Sequence, residues 1–176
     1  IGNTTTSSAV AAVLLGCPPE TVTGRGAGLS DEGLARKLAA IRAGIARNCP
    51  DPADPLAVLA AVGGLDIAAM AGACLGAAAA RLPLLLDGFI STVAALAAVR
   101  LCPGAEAALL ASHCSAEPAG KMLLEALGLS PLLCAGLRLG EGTGALAALP
   151  LFDMAMAMYG GAEFSSYGMD AYTPQN

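Results

Sequence analysis

Apolar and polar positions alternate along this chain with the spacing of helices and short buried strands. Asn3 or Thr4 can cap a helix running through Val10, Val13 and Leu14 to Gly16-Cys17-Pro18-Pro19, where two prolines should stop it. Ser30-Asp31-Glu32 supplies a cap and two first-turn acids for a second helix. Its apolar stripe is Leu34, Leu38, Ile41 and Ile45, and Asn48 and Pro50 close it. An Ala-rich run from Pro55 to Ala80 breaks at Gly63-Gly64, which predicts two helices. Leu82-Pro83-Leu84-Leu85-Leu86 is a short continuous apolar run, as expected of a buried parallel strand. Asp87-Gly88 ends it, and Ser91 or Thr92 can cap a helix to Val99. Ala107–Ser112 reads as a second strand, closed by His113-Cys114-Ser115. Lys121–Leu127 and Ala145–Met158 read as helices, while Leu132–Leu139 stays ambiguous between states.

Strand, polar turn, helix, repeated, predicts an α/β fold with a Rossmann-like parallel sheet flanked by Ala-rich helices. So few strands are visible that part of the sheet is expected upstream of Ile1. The absence of an initiator Met carries the same expectation of a longer protein, and no basic segment precedes Leu14-Leu15-Gly16-Cys17 to make it a signal peptide.

Composition narrows the class. Of the 176 residues 56% are hydrophobic but only 3% aromatic, so Ala, Leu, Val, Ile and Met must build the core. A membrane span needs about 20 apolar residues. Only fourteen uncharged residues separate Asp66 from Arg81, and twelve separate Asp87 from Arg100; these are core helices, and no membrane partner is expected. A net charge of -5 argues against nucleic acid. The six cysteines are scattered without a CxxC pair, which predicts buried, reduced thiols and no metal centre.

Ligands of open α/β sheets sit beyond the carboxyl ends of the strands. The turns that qualify are Asp87-Gly88, His113–Ser115 and Gly140–Thr143, joined by the glycine turns at Gly2-Asn3 and Gly26-Ala27-Gly28. Lys37 lies roughly 70° from the centre of its helix's apolar stripe, so its stem can cross apolar surface and its ammonium can reach a cleft. Glu141, between two glycines ahead of a helix, is either a carboxylate set against the helix dipole or a base. His113, the single histidine, is either structural or an acid–base group. Ser115 has no base nearby in sequence to make it a nucleophile.

Six ordered segments carry a sharper signal: IGNTT, GRGAGLSDEGLARK, GGLDIAAMAGA, LDGFISTVAALAA, SHCSAEP and LRLGEGTGALAALPL. In them the chain resembles the C-terminal half of the nicotinate-nucleotide:dimethylbenzimidazole phosphoribosyltransferases. The resemblance implies transfer of phosphoribosyl from nicotinate mononucleotide to dimethylbenzimidazole in cobalamin assembly, with release of nicotinate and inversion at the anomeric carbon. It implies that Glu141 is the catalytic base, acting from an apolar, water-poor pocket. It assigns Lys37 to the phosphate, and Gly2, Asn3, Gly26, Gly28, Asp87, Gly88 and Ser115 to nucleotide contacts. Leu139 and Gly140 would line the base site. It further implies no cofactor, a homodimer and a cytoplasmic location. Residues 1-158 correspond to the C-terminal portion of the transferase domain, and 159-176 to a tail that none of these motifs reaches. Ala119-Gly120 and Cys134 depart from the family's pattern. They keep two alternatives open: a non-catalytic nucleotide-binding relative, and a transferase for another acceptor such as adenine or a phenol.

Overall fold

The computed structural model describes residues 2–161, 164–170 and 173. The elements are α1 (Thr4–Leu15), α2 (Pro19–Val22), α3 (Asp31–Asn48), α4 (Pro55–Val62), α5 (Leu65–Ala80), β1 (Leu84–Leu86), α6 (Phe89–Leu101), β2 (Leu109–Ala111), α7 (Gly120–Leu127) and α8 (Thr143–Tyr159). Short 3-10 helices occupy Ala105–Ala108 and Phe164–Tyr167.

The fold is α/β but mostly helical. β1 and β2 pair in parallel, with Leu84 opposite Leu109 and Leu86 opposite Ala111. The ambiguous segment after Leu132 adds a rudimentary third lane beside β2. The Leu133 amide donates to the Ser112 carbonyl (3.0 Å), and the Cys114 amide to the Leu133 carbonyl (2.9 Å). The sheet is smaller than the sequence suggests, because residues 105–108 coil into a 3-10 turn and leave three residues of strand.

Helix α6 is the hub. Val93, Ala94, Ala95, Leu96, Ala97 and Ala98 have no exposed surface, and α1, α4, α5 and α7 all pack against it. A helix apolar on every side is stable only in such a central position. Leu96→Ala removes the outer carbons of a side chain enclosed on all sides. It leaves a cavity there, and should cost about 2–5 kcal/mol in urea unfolding.

Helix ends follow local chemistry, with three departures from expectation. Asn3 Oδ1 caps α1 by accepting from the Thr5 amide (2.7 Å). At its other end α1 stops at Gly16, which turns left-handed (φ 64°), so the prolines do not end it; Pro19 instead begins α2. Ser30 Oγ caps α3 by accepting from the Gly33 amide (3.2 Å). Ser91 and Thr92 do not cap α6. They sit inside its first turn and donate back to the Gly88 carbonyl at 2.9 and 2.8 Å. The third departure concerns the thiols. All six are unpaired, but only Cys74 is buried, while Cys49, Cys102 and Cys134 are exposed. Among the described residues no helix is long and apolar enough to cross a membrane.

Candidate active site

Each predicted turn can be located by what a β-carbon there would strike. At Gly2 (φ 109°) it would collide with Ile90, in the first turn of α6. At Gly26 it would press on Thr4 Oγ1, and at Gly88 on the His113 ring, with Ser115 Oγ just beyond. At Gly144 it would collide with His113 and reach Asp87 Oδ1. Close approach alone demands glycine at Gly144, whereas at Gly2 close approach and the positive φ both demand it. The turns after β1 and β2, the start of α1 and the start of α8 therefore meet at one end of the sheet. That end is the carboxyl end of both strands, where an α/β fold receives ligands. Gly28 (φ 105°) differs: a β-carbon there would meet no neighbour, so close packing does not tie it to this convergence. A hollow of about 320 Å³ beside Arg81, Leu82 and Pro83 lies at the opposite end of β1.

The loop before α8 is held from a distance. Gly140, Glu141 and Gly142 take φ values of 76°, 60° and 79°, three left-handed residues in succession. Two glycines adopt this freely, whereas Glu141 does so against a steric preference. The loop keeps its shape through Asp87. One carboxylate oxygen accepts from the Gly142 amide (3.1 Å), the other from the Gly144 and Ala145 amides (3.0 and 3.3 Å). Asp87 thus fills the anion position at the amino end of α8, a helix with no side-chain cap of its own. The sequence suggested Glu141 for that dipole, but Glu141 precedes the helix and is exposed. It is not in an apolar pocket of this chain. Leu139 is likewise 75% exposed.

His113 wedges between the two arms of this arrangement. It is buried, and Nδ1 lies 3.0 Å from Ser112 Oγ. Ser112 spends its one hydrogen on the Asp87 carbonyl (2.9 Å), so its oxygen must accept from Nδ1–H. The ring is fixed in that tautomer and props apart Gly88 and Gly144.

A second cluster lies under the Gly24–Gly26 loop. Lys37 is only 6% exposed. The buried line of α3 is Gly33, Lys37 and Ile41, one turn apart, while Leu34, Leu38 and Ile45 are half-buried. Lys37 is therefore at the centre of the buried face and not at its border. Its Nζ donates to Thr4 Oγ1 and to the Gly24 carbonyl, both at 2.9 Å, which leaves one ammonium hydrogen uncommitted. Burial pushes the Lys37 pKa down, and the charge of Glu117 opposes that shift. A cavity of about 310 Å³ opens here, lined by Thr23, Gly24, Arg25, Gly26, Glu117 and Arg138 among others. Arg25 is tied to the Leu29 carbonyl and Asp31. Asn3 uses its side chain on the α1 cap, and Ser115 Oγ accepts from the Glu117 amide (3.3 Å). Glu117 was not singled out in the sequence, because one acid in a turn of small residues gives no signal before its surroundings are seen. Among the described residues no cluster of His, Cys, Asp or Glu is arranged to hold a metal.

A family model described as phosphoribosyltransferase matches residues 1–168, past the point where the recognised motifs stop. A nicotinate-nucleotide–dimethylbenzimidazole phosphoribosyltransferase of Desulforudis audaxviator is 58% identical over 158 residues, covering 90% of this chain and 45% of that protein. One from Acetivibrio thermocellus is 51% identical over 176 residues, covering 99% and 50%. A crystal structure of CobT from Thermus thermophilus superposes with a TM-score of 0.88 at 48% identity, across 97% of this chain and 51% of that one. The chain spans about half the length of the curated relatives it matches. With the match running through the glycine turns and the Glu141 loop, the chain belongs to this phosphoribosyltransferase family.

Proposed function

We propose that this chain supplies one wall of an active site that moves phosphoribosyl from nicotinate mononucleotide to dimethylbenzimidazole. The observation that carries the reading is the loop at Gly140–Gly142. It presents an exposed, unpaired carboxylate, Glu141, at the end of the sheet where the glycine turns converge.

The chemistry asks little else of the protein. A benzimidazole nitrogen attacks the anomeric carbon as the bond to the nicotinate ring nitrogen breaks. That ring leaves with the bonding electron pair, its nitrogen passing from cationic to neutral, so no acid is needed. The benzimidazole becomes cationic and must lose the proton on its other nitrogen, which Glu141 accepts. The uncommitted hydrogen of Lys37 and the amides of the Gly24–Ala27 loop serve the phosphate, and Gly28 closes that loop through its amide to the Arg25 carbonyl. Gly2, Asn3, Gly88 and Ser115 shape the nucleotide's turn of the site, and Leu139 and Gly140 face the acceptor base. Asp87 acts one step back, by fixing the Glu141 loop. An acceptor pocket is completed by the part of the relatives' length that this chain does not span, and the enzyme works as a homodimer in the cytoplasm. With half a site here, Glu141 is exposed in this chain and becomes enclosed only when the other wall covers it.

The test is nicotinate release from nicotinate mononucleotide with dimethylbenzimidazole present. It is run on this chain alone and on this chain joined to the part of the Desulforudis audaxviator protein with which it does not align. Release from the joined protein and not from the chain alone is the expected result. Phosphate affinity without release in either form would select a nucleotide-binding relative. Release with adenine or a phenol in preference to dimethylbenzimidazole would select another acceptor.

A further inference from the structure

One carboxylate beside the buried lysine has no role in the reaction just described. Neither side-chain oxygen of Glu117 receives a hydrogen bond from a described residue, and Oε2 is fully buried. Lys37 feels its charge, but no ion pair forms between them. Gly24 is built around this carboxylate, since a β-carbon there would collide with Glu117 Oε2. Buried polar groups in folded proteins have partners, so this oxygen calls for one, and a bound substrate can supply it.

We propose that Glu117 receives the hydroxyl groups of the ribose, a reading that rests on the phosphoribosyl transfer above. An ionised carboxylate only accepts hydrogen bonds, so the missing partner must be a donor. The phosphate of the substrate offers acceptors and a like charge; it belongs with Lys37 and the loop amides. The nicotinate ring carries a carboxylate and no ring N–H. Ribose is the part of the nucleotide that brings neutral donors, and it is bonded directly to the phosphate group. Glu117 and Gly24 line the cavity, and the Lys37 ammonium is held on the Gly24 carbonyl, so a buried cation and a buried acceptor oxygen meet the same glycine loop. Arg138 lines the same cavity and lies three positions before Glu141. Lys37 and Glu117 together read a phosphate and a sugar hydroxyl at once, which selects ribonucleotides over deoxyribonucleotides.

The experiment compares nicotinate mononucleotide with its 2′-deoxy and 3′-deoxy analogues as donors, in the joined protein. Loss of a hydroxyl that binds a charged acceptor should lower kcat/KM roughly ten- to hundredfold for at least one analogue. Glu117→Ala should accept that analogue and the parent nearly alike, and Glu117→Gln, which keeps a neutral acceptor, should fall between. If the alanine variant does not fold, the glutamine variant decides on the same ratio. Wild-type discrimination that survives unchanged in the folded variant, or a wild type indifferent to both hydroxyls, overturns the assignment. No release from nicotinate mononucleotide itself would instead defeat the transferase reading.

Discussion

Glu141→Gln, in the joined protein, should lower kcat by roughly 10²- to 10⁴-fold, the usual contribution of a positioned general base. KM for nicotinate mononucleotide should change little. Glutamine matches the shape of glutamate, keeps the left-handed backbone no worse, and can still accept a hydrogen bond. What it loses is the capacity to hold a proton at working pH. The donor nucleotide carries no proton that this residue must remove, so its binding does not depend on the charge. An interaction made only as the benzimidazole becomes cationic affects turnover and not ground-state binding. Steady-state kinetics with both substrates varied give the answer. Full turnover in the variant would remove Glu141 from the mechanism, and a large rise in nucleotide KM would make it a binding group.

The second large effect belongs to Asp87. Asp87→Ala leaves the amides of Gly142, Gly144 and Ala145 without their acceptor, and α8 has no other cap. Removing a cap costs about 0.5–2 kcal/mol of stability. The kinetic loss should be larger, near 10²-fold in kcat, because a base misplaced by about an ångström loses that much. Asp87→Asn keeps one oxygen for the amides and should retain more activity than the alanine variant. The decisive comparison is the double variant Asp87→Ala with Glu141→Gln. If Asp87 acts through the Glu141 loop, the double variant is hardly slower than Glu141→Gln alone. A direct contact between Asp87 and the nucleotide predicts multiplied losses and a raised nucleotide KM.

These two residues also mark where the sequence stops being legible. Interactions between close neighbours could be read directly. Asn3 and Ser30 as caps, the break at Gly63-Gly64 and the run ending at Leu86 are all set by residues a few positions apart. The helix start at Gly88 was misplaced because Ser91 and Thr92 have two uses for their hydroxyls, capping forward or bonding back, and the tight Asp87-Gly88 turn favours the second. The dipole partner of α8 was sought beside it, at Glu141, when it stands 55 to 58 positions away. Periodicity placed Lys37 at the edge of its helix's apolar face. It sits at the centre instead because Thr4 and the Gly24 carbonyl satisfy the ammonium from other parts of the chain. The family motifs led to both residues, but not to what each of them touches.

The reach of Asp87 also sets an order of events during synthesis. When the turn after β1 leaves the ribosome, its acceptors are in place but its donors have not been made. Domains emerge from the amino terminus first and can begin to organise as they do. The helices up to α6 can gather while Asp87 stays solvated, waiting for amides 55 to 58 residues behind it. The Glu141 loop therefore acquires its shape last, after the sheet is paired. A nascent chain released before Gly142 would keep the packing around α6 and the glycine turns yet lack the hold on the Glu141 loop. In the proposed reaction such a product would offer the phosphate side of the wall without the base, so the start of α8 is the step that adds Glu141 to it.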